Sequence, residues 1–470
     1  MAINNTHYGY EGISKIMSSA AKVYFIGIGG ISMSSLAIMT KKRGFEVAGS
    51  DRTRTALTEH LEAQGIDISY GQKMAFVDNA DVVVYTVAID HDNEDYAYAQ
   101  KKRIPCISRA DYLGYLMMDF SVRIGVSGTH GKSTTTGMLA SIFTCSQSDP
   151  TVLCGAQLDS LGGEAYRCGD DNAYIIVESC EYKDSFLDFY PNIAVVLNVE
   201  LDHVDYFSSL SQIKNSFAVF AEKCGEEGSV IANADDENCM DALVNSRSQL
   251  ITFGVKNDAN FKAVNIEYEN GFPRFDILYE NEPICNIKLS VSGEHNILNA
   301  TAAFAVAFIC GIEVHDISEG LFRFRGAHRR CEYLGKYCGA DVFDDYAHHP
   351  TEIRTTLDGI TARGYNRVIC VFQPHTFSRT KGLFGEISAS FSNIDEVIYA
   401  DIYPARETDD LGMHSSLLAS NTGENAKYLG NLQSIKAYLS NELRDGDALV
   451  VMGAGDIYRH YPMLGFDYKG

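Results

Sequence analysis

The densest concentration of phosphate chemistry in the chain is the run Gly125-Val-Ser-Gly-Thr-His-Gly-Lys-Ser-Thr-Thr. An apolar strand, VRIGVSG, leads into it and a helix-compatible run, TTTGMLASIF, leads out. Glycines at 128 and 131 let backbone N–H groups close on phosphate oxygens, and the following helix start adds its own free N–H donors. Lys132 supplies a fixed cation for β and γ phosphates, and the Ser133 hydroxyl is a magnesium ligand type. These residues predict ATP or GTP. The spacing departs from the commonest phosphate loop, because Val126 stands five positions before Gly131 and the glycines fall at 125 and 128.

Further polar groups stand where an α/β sheet places its ligands, just beyond the ends of apolar strands. Glu178-Ser-Cys-Glu181 follows AYIIV, and Asn198-Val-Glu200-Leu-Asp202-His203 follows AVVL. Carboxylates and an imidazole beside a phosphate loop suit magnesium, which keeps several waters and needs few protein ligands. Another glycine-rich turn, Gly27-Ile-Gly-Gly-Ile-Ser-Met-Ser-Ser-Leu-Ala, sits between the strand VYFIGI and a helical stretch from Ser32 to Lys41. Taken alone, that turn and the Asp51 that ends FEVAGSD fit a nicotinamide dinucleotide as well as any other pyrophosphate ligand. Asp344-Asp345-Tyr-Ala-His348-His349-Pro350 and Gln373-Pro-His375-Thr-Phe-Ser-Arg379 are two more strand ends carrying titratable groups.

Positioning these groups takes repeated βα units. One parallel unit, with ADVVVYTVAI as a third strand, extends to about residue 120. A second, with the strands AYIIVES, PNIAVVLNV and GSVIAN, the helix NILNATAAFAVAFICG and an antiparallel-looking insert around FKAVNIEYENGFPRFDILYE, extends to about 327. A third follows with DVFDDYA, RVICVFQP, IDEVIYADIY and DALVVMGAG. The expectation is an α/β protein of three domains, 1–120, 121–327 and 328–470. Each is a mainly parallel sheet with helices: Rossmann-like at the N-terminus, P-loop ATPase-like in the centre and Rossmann-like at the C-terminus.

Composition agrees with a multi-domain globular chain: 470 residues, 46% hydrophobic and 21% charged. The polar start of the chain lacks the basic-then-apolar pattern of a signal peptide, and no window approaches the ~18 apolar residues of a membrane span. Twelve cysteines, scattered singly without a CxxC pair, fit reduced thiols and a cytoplasmic protein. A formal charge of −23 without a basic stripe argues against a nucleic-acid partner.

The GTHGKST loop is similar to the ATP loop of the Mur ligase family, and the Gly27–Ala37 turn resembles the N-terminal signature of its alanine-adding branch. The likeness extends over nearly the whole chain. It implies ATP-dependent joining of L-alanine to the carboxylate of UDP-N-acetylmuramate through an acyl phosphate, in peptidoglycan precursor synthesis, by a monomer or homodimer without membrane insertion. It implies that Gly29, Gly30, Ser32, Met33 and Asn198 meet the sugar nucleotide. The ATP site would comprise Gly128, Thr129, His130, Gly131, Lys132, Ser133 and Thr134, with His295, Asn296 and Asn299 near adenine and Arg330 and Asp345 closing over the nucleotide. Magnesium falls to Ser133, Glu181 and His203, while His348 and Arg379 serve the incoming amino acid and the reacting carboxyl. Lys132, Glu181, His203, His348 and Arg379 are the expected catalytic set.

This chain departs from the family pattern at Cys180 and Lys183, where many relatives carry aspartates, and at Thr376, where some have a second arginine. Phe217 stands at the distance at which sister ligases carry a modified lysine, as suits the alanine-adding branch. The family segments Pro404-Ala-Arg406-Glu407 and Gly453-Ala-Gly455-Asp456 also match. A recycling ligase that attaches a peptide to the same sugar nucleotide shares much of this pattern. A nicotinamide oxidoreductase would leave the Lys132 loop unexplained, and a non-catalytic nucleotide-binding scaffold has only the altered ESCEYKD segment in its favour.

Overall fold

A computed structural model describes residues 3–464 apart from 72–76, 90–91, 204–205, 270, 406 and 409–411. Arg406, in the expected family loop, lies outside the described residues. Among the described residues no helix is long and apolar enough to cross a membrane.

The first sheet consists of β1 (Lys22–Ile26), β2 (Glu46–Asp51), β3 (Asp67–Tyr70), β4 (Val82–Tyr85) and β5 (Cys106–Ser108), all parallel in the order β3-β2-β1-β4-β5. Helices on both faces cover such a sheet, so its strands read as continuous apolar runs, and Val82, Val83, Val84 and Tyr85 are all buried. Strand order reverses on either side of β1. The glycine turn that follows β1 therefore opens at the point where adjacent connections diverge and leave a crevice.

The second sheet is built on β6 (Val122–Ser127), β7 (Thr151–Leu158), β8 (Glu164–Arg167), β9 (Tyr174–Glu178), β10 (Ile193–Val196), β11 (Ser229–Asn233) and β12 (Gln249–Gly254), in the order β12-β11-β10-β6-β9-β7-β8. Only β8 runs antiparallel to its neighbour among these. In register, Val126 of β6 pairs with Glu178 of β9 and Ser127 pairs with Val196 of β10. The phosphate loop, the Glu178–Glu181 segment and Asn198 thus leave the sheet side by side. Strands β13 (Phe261–Glu269), β14 (Phe272–Tyr279) and β15 (Glu282–Lys288) form the expected antiparallel insert.

The third sheet holds β16 (Glu332–Tyr337), β17 (Ala340–Asp345), β18 (Val368–Phe372), β19 (Glu396–Ala400), β20 (Ala426–Gly430) and β21 (Ala448–Met452), in the order β16-β17-β21-β18-β19-β20. Of these six, only β16 is antiparallel. Two cores flank the sheet, one around Phe343, Phe372 and Tyr399 and the other around Ile369, Ile398 and Tyr461.

By compactness the chain divides into two units. The first comprises residues up to Val199 with Lys214–Phe253 and Ala302–Gly320, and the second comprises Glu200–Ile213, Gly254–Thr301 and Leu321 onward. Within the first unit the two sheets are fastened by the N-terminal segment, which composition alone left featureless. Asn5 donates to the Lys183 carbonyl and to Ser185 Oγ, His7 pairs with Asp188 at 2.6 Å, and the Tyr10 N–H reaches Tyr190 Oη at 3.1 Å. On the other side Thr6 Oγ1 and the Tyr8 and Gly9 N–H groups all donate to Asp111.

Candidate active site

In the first unit the phosphate loop is held open from behind by Asn198. Its Oδ1 accepts from the His130 N–H at 2.8 Å, its Nδ2 donates to the His130 carbonyl at 3.1 Å, and its own carbonyl accepts from the Thr129 N–H. Asn198, expected against the sugar nucleotide, therefore has its amide committed to loop shape. Gly128 has φ +141°, and a Cβ there would lie 2.9 Å from Leu197 Cβ and 3.2 Å from the Asn198 nitrogen. Gly131, at φ +84°, caps the helix Lys132–Cys145, whose first turn has no acidic residue. A side-chain-free, uncapped helix start is the shape that an anion fills.

Lys132 Nζ donates to the carbonyls of Gly128 and Thr129 at 2.5 and 3.0 Å and pairs with Glu181 at 3.0 Å. Burial works to lower the pKa of this ammonium, but the Glu181 carboxylate, with Glu178 further off, outweighs it and holds Lys132 raised. It is a permanent cation. Ser133 Oγ donates to Glu178 Oε1 at 2.9 Å, and the other oxygen of Glu178 accepts from the Gly155 N–H at 2.6 Å. Glu181, expected on the metal, is fully buried and faces Lys132, whereas Glu178 faces the metal-type hydroxyl. Of these two carboxylates, three residues apart, Glu181 is the one expected on the metal, and Glu178 is the one bonded to Ser133. Behind Glu181 the chain makes a turn through Lys183 and Asp184, both at positive φ.

At the N-terminal turn, the Gly27 and Ile28 N–H groups donate to the Ser50 carbonyl, and Asp51 accepts from the Gly29 N–H at 2.8 Å. The crevice there measures about 330 Å³ and is lined by Gly27, Gly29, Gly30, Asp51, Thr86 and Asn93 among others. Ser32 stands in the first turn of the helix Ile31–Lys42, and Met33 is buried, so only its backbone can meet a ligand.

In the second unit Asp202, Arg379, His375, His203 and His348 form one cluster. Arg379 donates through Nε and Nη2 to Asp202 Oδ1 at 3.3 and 3.1 Å and through Nη1 to His375 Nδ1 at 3.0 Å. Against the penalty of burial, Arg379 first and then the neighbouring histidines hold the Asp202 carboxyl far below the usual range. Burial, with Arg379 adding to it, pushes His375 down to about 4. Burial likewise pushes His348 down to about 3, with Glu352 opposing and Arg379 adding. Both rings are neutral at physiological pH, so each offers one ring nitrogen as a hydrogen-bond acceptor, and that of His375 is met by Arg379. His203 sits at φ +50° with its N–H on Asp202.

His349 caps the helix Pro350–Thr361, whose Thr351 hydroxyl donates to Glu200 at 2.7 Å. Asp345, expected over the nucleotide, is buried and accepts from the Cys331 and Ala347 N–H groups and from Thr356 Oγ1 at 2.8, 2.6 and 3.0 Å. Its oxygens hold the strand-end turn that presents His348. Arg330 lies 3.6 Å from Glu352, over the Tyr346 ring. Asn296 and Asn299 are both buried and linked at 3.1 Å, and Asn296 Nδ2 also donates to the Ser292 carbonyl, while His295 beside them is exposed. Arg329, flanked by Tyr346 and Tyr458, donates to the Gly453 carbonyl at 2.6 Å and so ties the family loop 453–456 to the joint segment.

A phosphate loop with a carboxylate-paired lysine, on a parallel sheet, accompanied by two further α/β sheets with their own strand-end clusters, defines an ATP-using ligase architecture. Family models describe the same architecture: the Mur ligase family catalytic domain matches residues 22–121, the Mur ligase middle domain 126–307, and the Mur ligase glutamate ligase domain 329–455. The chain belongs to the Mur ligase family. It is similar to the UDP-N-acetylmuramate–L-alanine ligase of Clostridium novyi, 44% identical over 93% of this chain and 96% of that one. The enzyme of the same name from Acetivibrio thermocellus is 45% identical over 93% of this chain and 94% of its own. Among solved structures, the UDP-N-acetylmuramate–alanine ligase of Thermotoga maritima superposes with a TM-score of 0.78 at 27% identity, covering 94% of this chain and 98% of that one. A murein peptide ligase from Psychrobacter arcticus shares the fold, with a TM-score of 0.70 at 24% identity.

Proposed function

We infer that this chain is the ligase that joins L-alanine to the lactyl carboxylate of UDP-N-acetylmuramate at the expense of ATP, a step in peptidoglycan precursor synthesis. The observation that carries the reading is the pairing of Lys132 with Glu181 and of Ser133 with Glu178 at adjacent strand ends, in a chain 44% identical over 93% of its length to an alanine ligase. The peptide-adding alternative has a solved neighbour of the same fold, but the relatives at more than 40% identity carry the alanine-ligase name.

Phosphoryl transfer asks the protein mainly for positioning and charge neutralisation. The loop from Gly128 to Thr134 would wrap the ATP phosphates, with Lys132 offsetting charge on the transferred group. Magnesium would be held in the first unit by Ser133 and Glu178 and would supply charge neutralisation. The carboxylate attacks the γ-phosphorus, ADP leaves, and the acyl phosphate is opened by the amine of alanine, releasing phosphate. Neutral His348 suits accepting a hydrogen bond from the amine, and Arg379 suits the alanine carboxylate. The glycine turn and Ser32 would hold the diphosphate of the sugar nucleotide. Such a reaction belongs in the cytoplasm, where ATP is available.

The test is phosphate release from ATP and magnesium with UDP-N-acetylmuramate, with and without L-alanine, followed by mass analysis of the sugar nucleotide. Gain of one alanyl residue, lost in Lys132→Ala, is expected. Turnover with a tripeptide but not with alanine would move the assignment to the recycling ligase.

A further inference from the structure

Glu181 is fully buried and its carboxylate lies 3.0 Å from Lys132 Nζ, so its placement fixes where the cation of the phosphate loop stands. The backbone directly behind it is costly. Lys183 (φ 53°, ψ 33°) and Asp184 (φ 54°, ψ 25°) are two successive left-handed residues, neither of them glycine, and a lysine lacks the short polar side chain that eases this conformation. Such a pair persists only where its surroundings over-determine it. The turn closes onto the residue that carries the carboxylate, because the Asp184 N–H donates to the Glu181 carbonyl at 2.9 Å.

Two side chains remote in sequence, both in the first unit, meet the pair. Asn5 Nδ2, from the N-terminal segment, donates to the Lys183 carbonyl and to Ser185 Oγ, each at 3.3 Å. Ser185 Oγ in turn donates to the Tyr182 carbonyl at 2.8 Å, so this chain of contacts spans the whole turn. From the other direction Ser216 Oγ, buried on the helix Leu210–Glu222, donates to Asp184 Oδ1. Asn5 is itself fixed in register, because Thr6, Tyr8 and Gly9 are bonded to Asp111 and His7 to Asp188. Resting on the reading above that Lys132 serves phosphoryl transfer, we propose that Asn5 and Ser216 are positioning residues for that step: they hold the Lys183–Asp184 turn and through it keep the Glu181 carboxylate on Lys132. Their effect falls on phosphoryl transfer and not on binding of the sugar nucleotide.

The test combines initial rates, calorimetric titration of the full chain with a non-hydrolysable ATP analogue and with UDP, and thermal melts to confirm folding. Loss of a hydrogen bond to a neutral carbonyl should lower kcat about 5-fold in Asn5→Ala, and loss of one to a carboxylate about 10-fold in Ser216→Ala. Analogue affinity should weaken about 3- to 5-fold in both, while UDP affinity and the KM for the sugar nucleotide stay within about 2-fold of wild type. Lys183→Asn, which takes the left-handed backbone at less cost, should rescue Asn5→Ala to within about 2-fold of Lys183→Asn alone. In a Glu181→Gln background, Asn5→Ala and Ser216→Ala should each change kcat and analogue affinity by less than about 2-fold, because the group they place is gone. Full, additive losses in Glu181→Gln, no rescue by Lys183→Asn, or wild-type kcat and analogue affinity in both single variants overturns the proposal and leaves two merely stabilising contacts. If Asn5→Ala does not fold, Ser216→Ala carries the same test from the other side of the turn. Wild type that binds the analogue but does not turn over the sugar nucleotide with alanine loses the ligase reading, and the analogue titrations then decide the positioning proposal alone.

Discussion

Exchanging the two carboxylates of the ESCE segment one at a time separates their roles. In Glu178→Gln one oxygen remains to accept from Ser133 Oγ, a contact of 2.9 Å in the wild type, while the nitrogen that replaces the other cannot accept from the Gly155 N–H and the negative charge is gone. A charge-assisted contact contributes about 2 to 3 kcal/mol. At 1.4 kcal/mol per decade, that predicts a magnesium activation constant raised about 30- to 150-fold, with ATP affinity changing only through the metal. In Glu181→Gln, Lys132 keeps the Gly128 and Thr129 carbonyls but loses its counter-charge, so kcat should fall about 10- to 100-fold at an unchanged magnesium requirement. Gly155→Ala is an independent probe, because its Cβ would stand 2.8 and 2.9 Å from the two Glu178 oxygens and push that carboxylate aside. It should move the magnesium constant in the same direction as Glu178→Gln, by about 10-fold. Initial rates of phosphate release against magnesium, at saturating ATP, read all three. A magnesium constant that shifts in Glu181→Gln and not in Glu178→Gln would sink the assignment.

Three other perturbations probe the rest of the site. Asp202→Asn strands Arg379 as a buried cation and should destabilise the second unit by about 3 kcal/mol, while Asp202→Asn with Arg379→Met should recover most of it; calorimetric melts showing less than about 0.5 kcal/mol of coupling between the two sites would count against the pair. Gly128→Ala forces a side chain onto φ +141° and against Leu197, so binding of a non-hydrolysable ATP analogue should weaken about 10-fold or more without loss of UDP binding; an unchanged ATP affinity would show that the loop tolerates the strain. His348 and His375 have folded pKa values of about 3 and 4, below the ~6.5 of an unfolded chain, so the unfolded state binds more protons between those values. Stability should therefore fall as pH drops from about 6.5 toward 4, by at most about 1.4 kcal/mol per pH unit for each ring, and the slope should flatten in His348→Asn with His375→Asn; equal slopes in mutant and wild type would mean the rings are protonated in the fold.

The strand ends are the part of the fold most legible in the amino-acid sequence. Apolar runs such as VYFIGI, AYIIV and RVICVF are long, β-branched and bounded by glycine or charge, so their burial in parallel sheets follows from local composition alone. Short or polar strands give no such sign: DISY at Asp67–Tyr70 and AKYLG at Ala426–Gly430 lie at sheet edges, where one neighbour suffices and polar residues are tolerated. The N-terminal segment is opaque for a different reason. Its ties to Asp111, Asp188 and Tyr190 span more than 100 residues of sequence, and no local pattern encodes them.

The same division runs through the site. Loop residues 128–134 can be named because glycine, lysine and hydroxyl at that spacing serve one chemistry wherever they occur. Residues that hold those groups in place, Asn198 behind the loop and Asp345 behind His348, carry the same polar atoms as ligand-binding residues and differ only in where their hydrogen bonds go. Glu178 and Glu181 differ only in which neighbour each faces, Ser133 and Gly155 for the one and Lys132 for the other, and the spacing of the motif encodes neither contact.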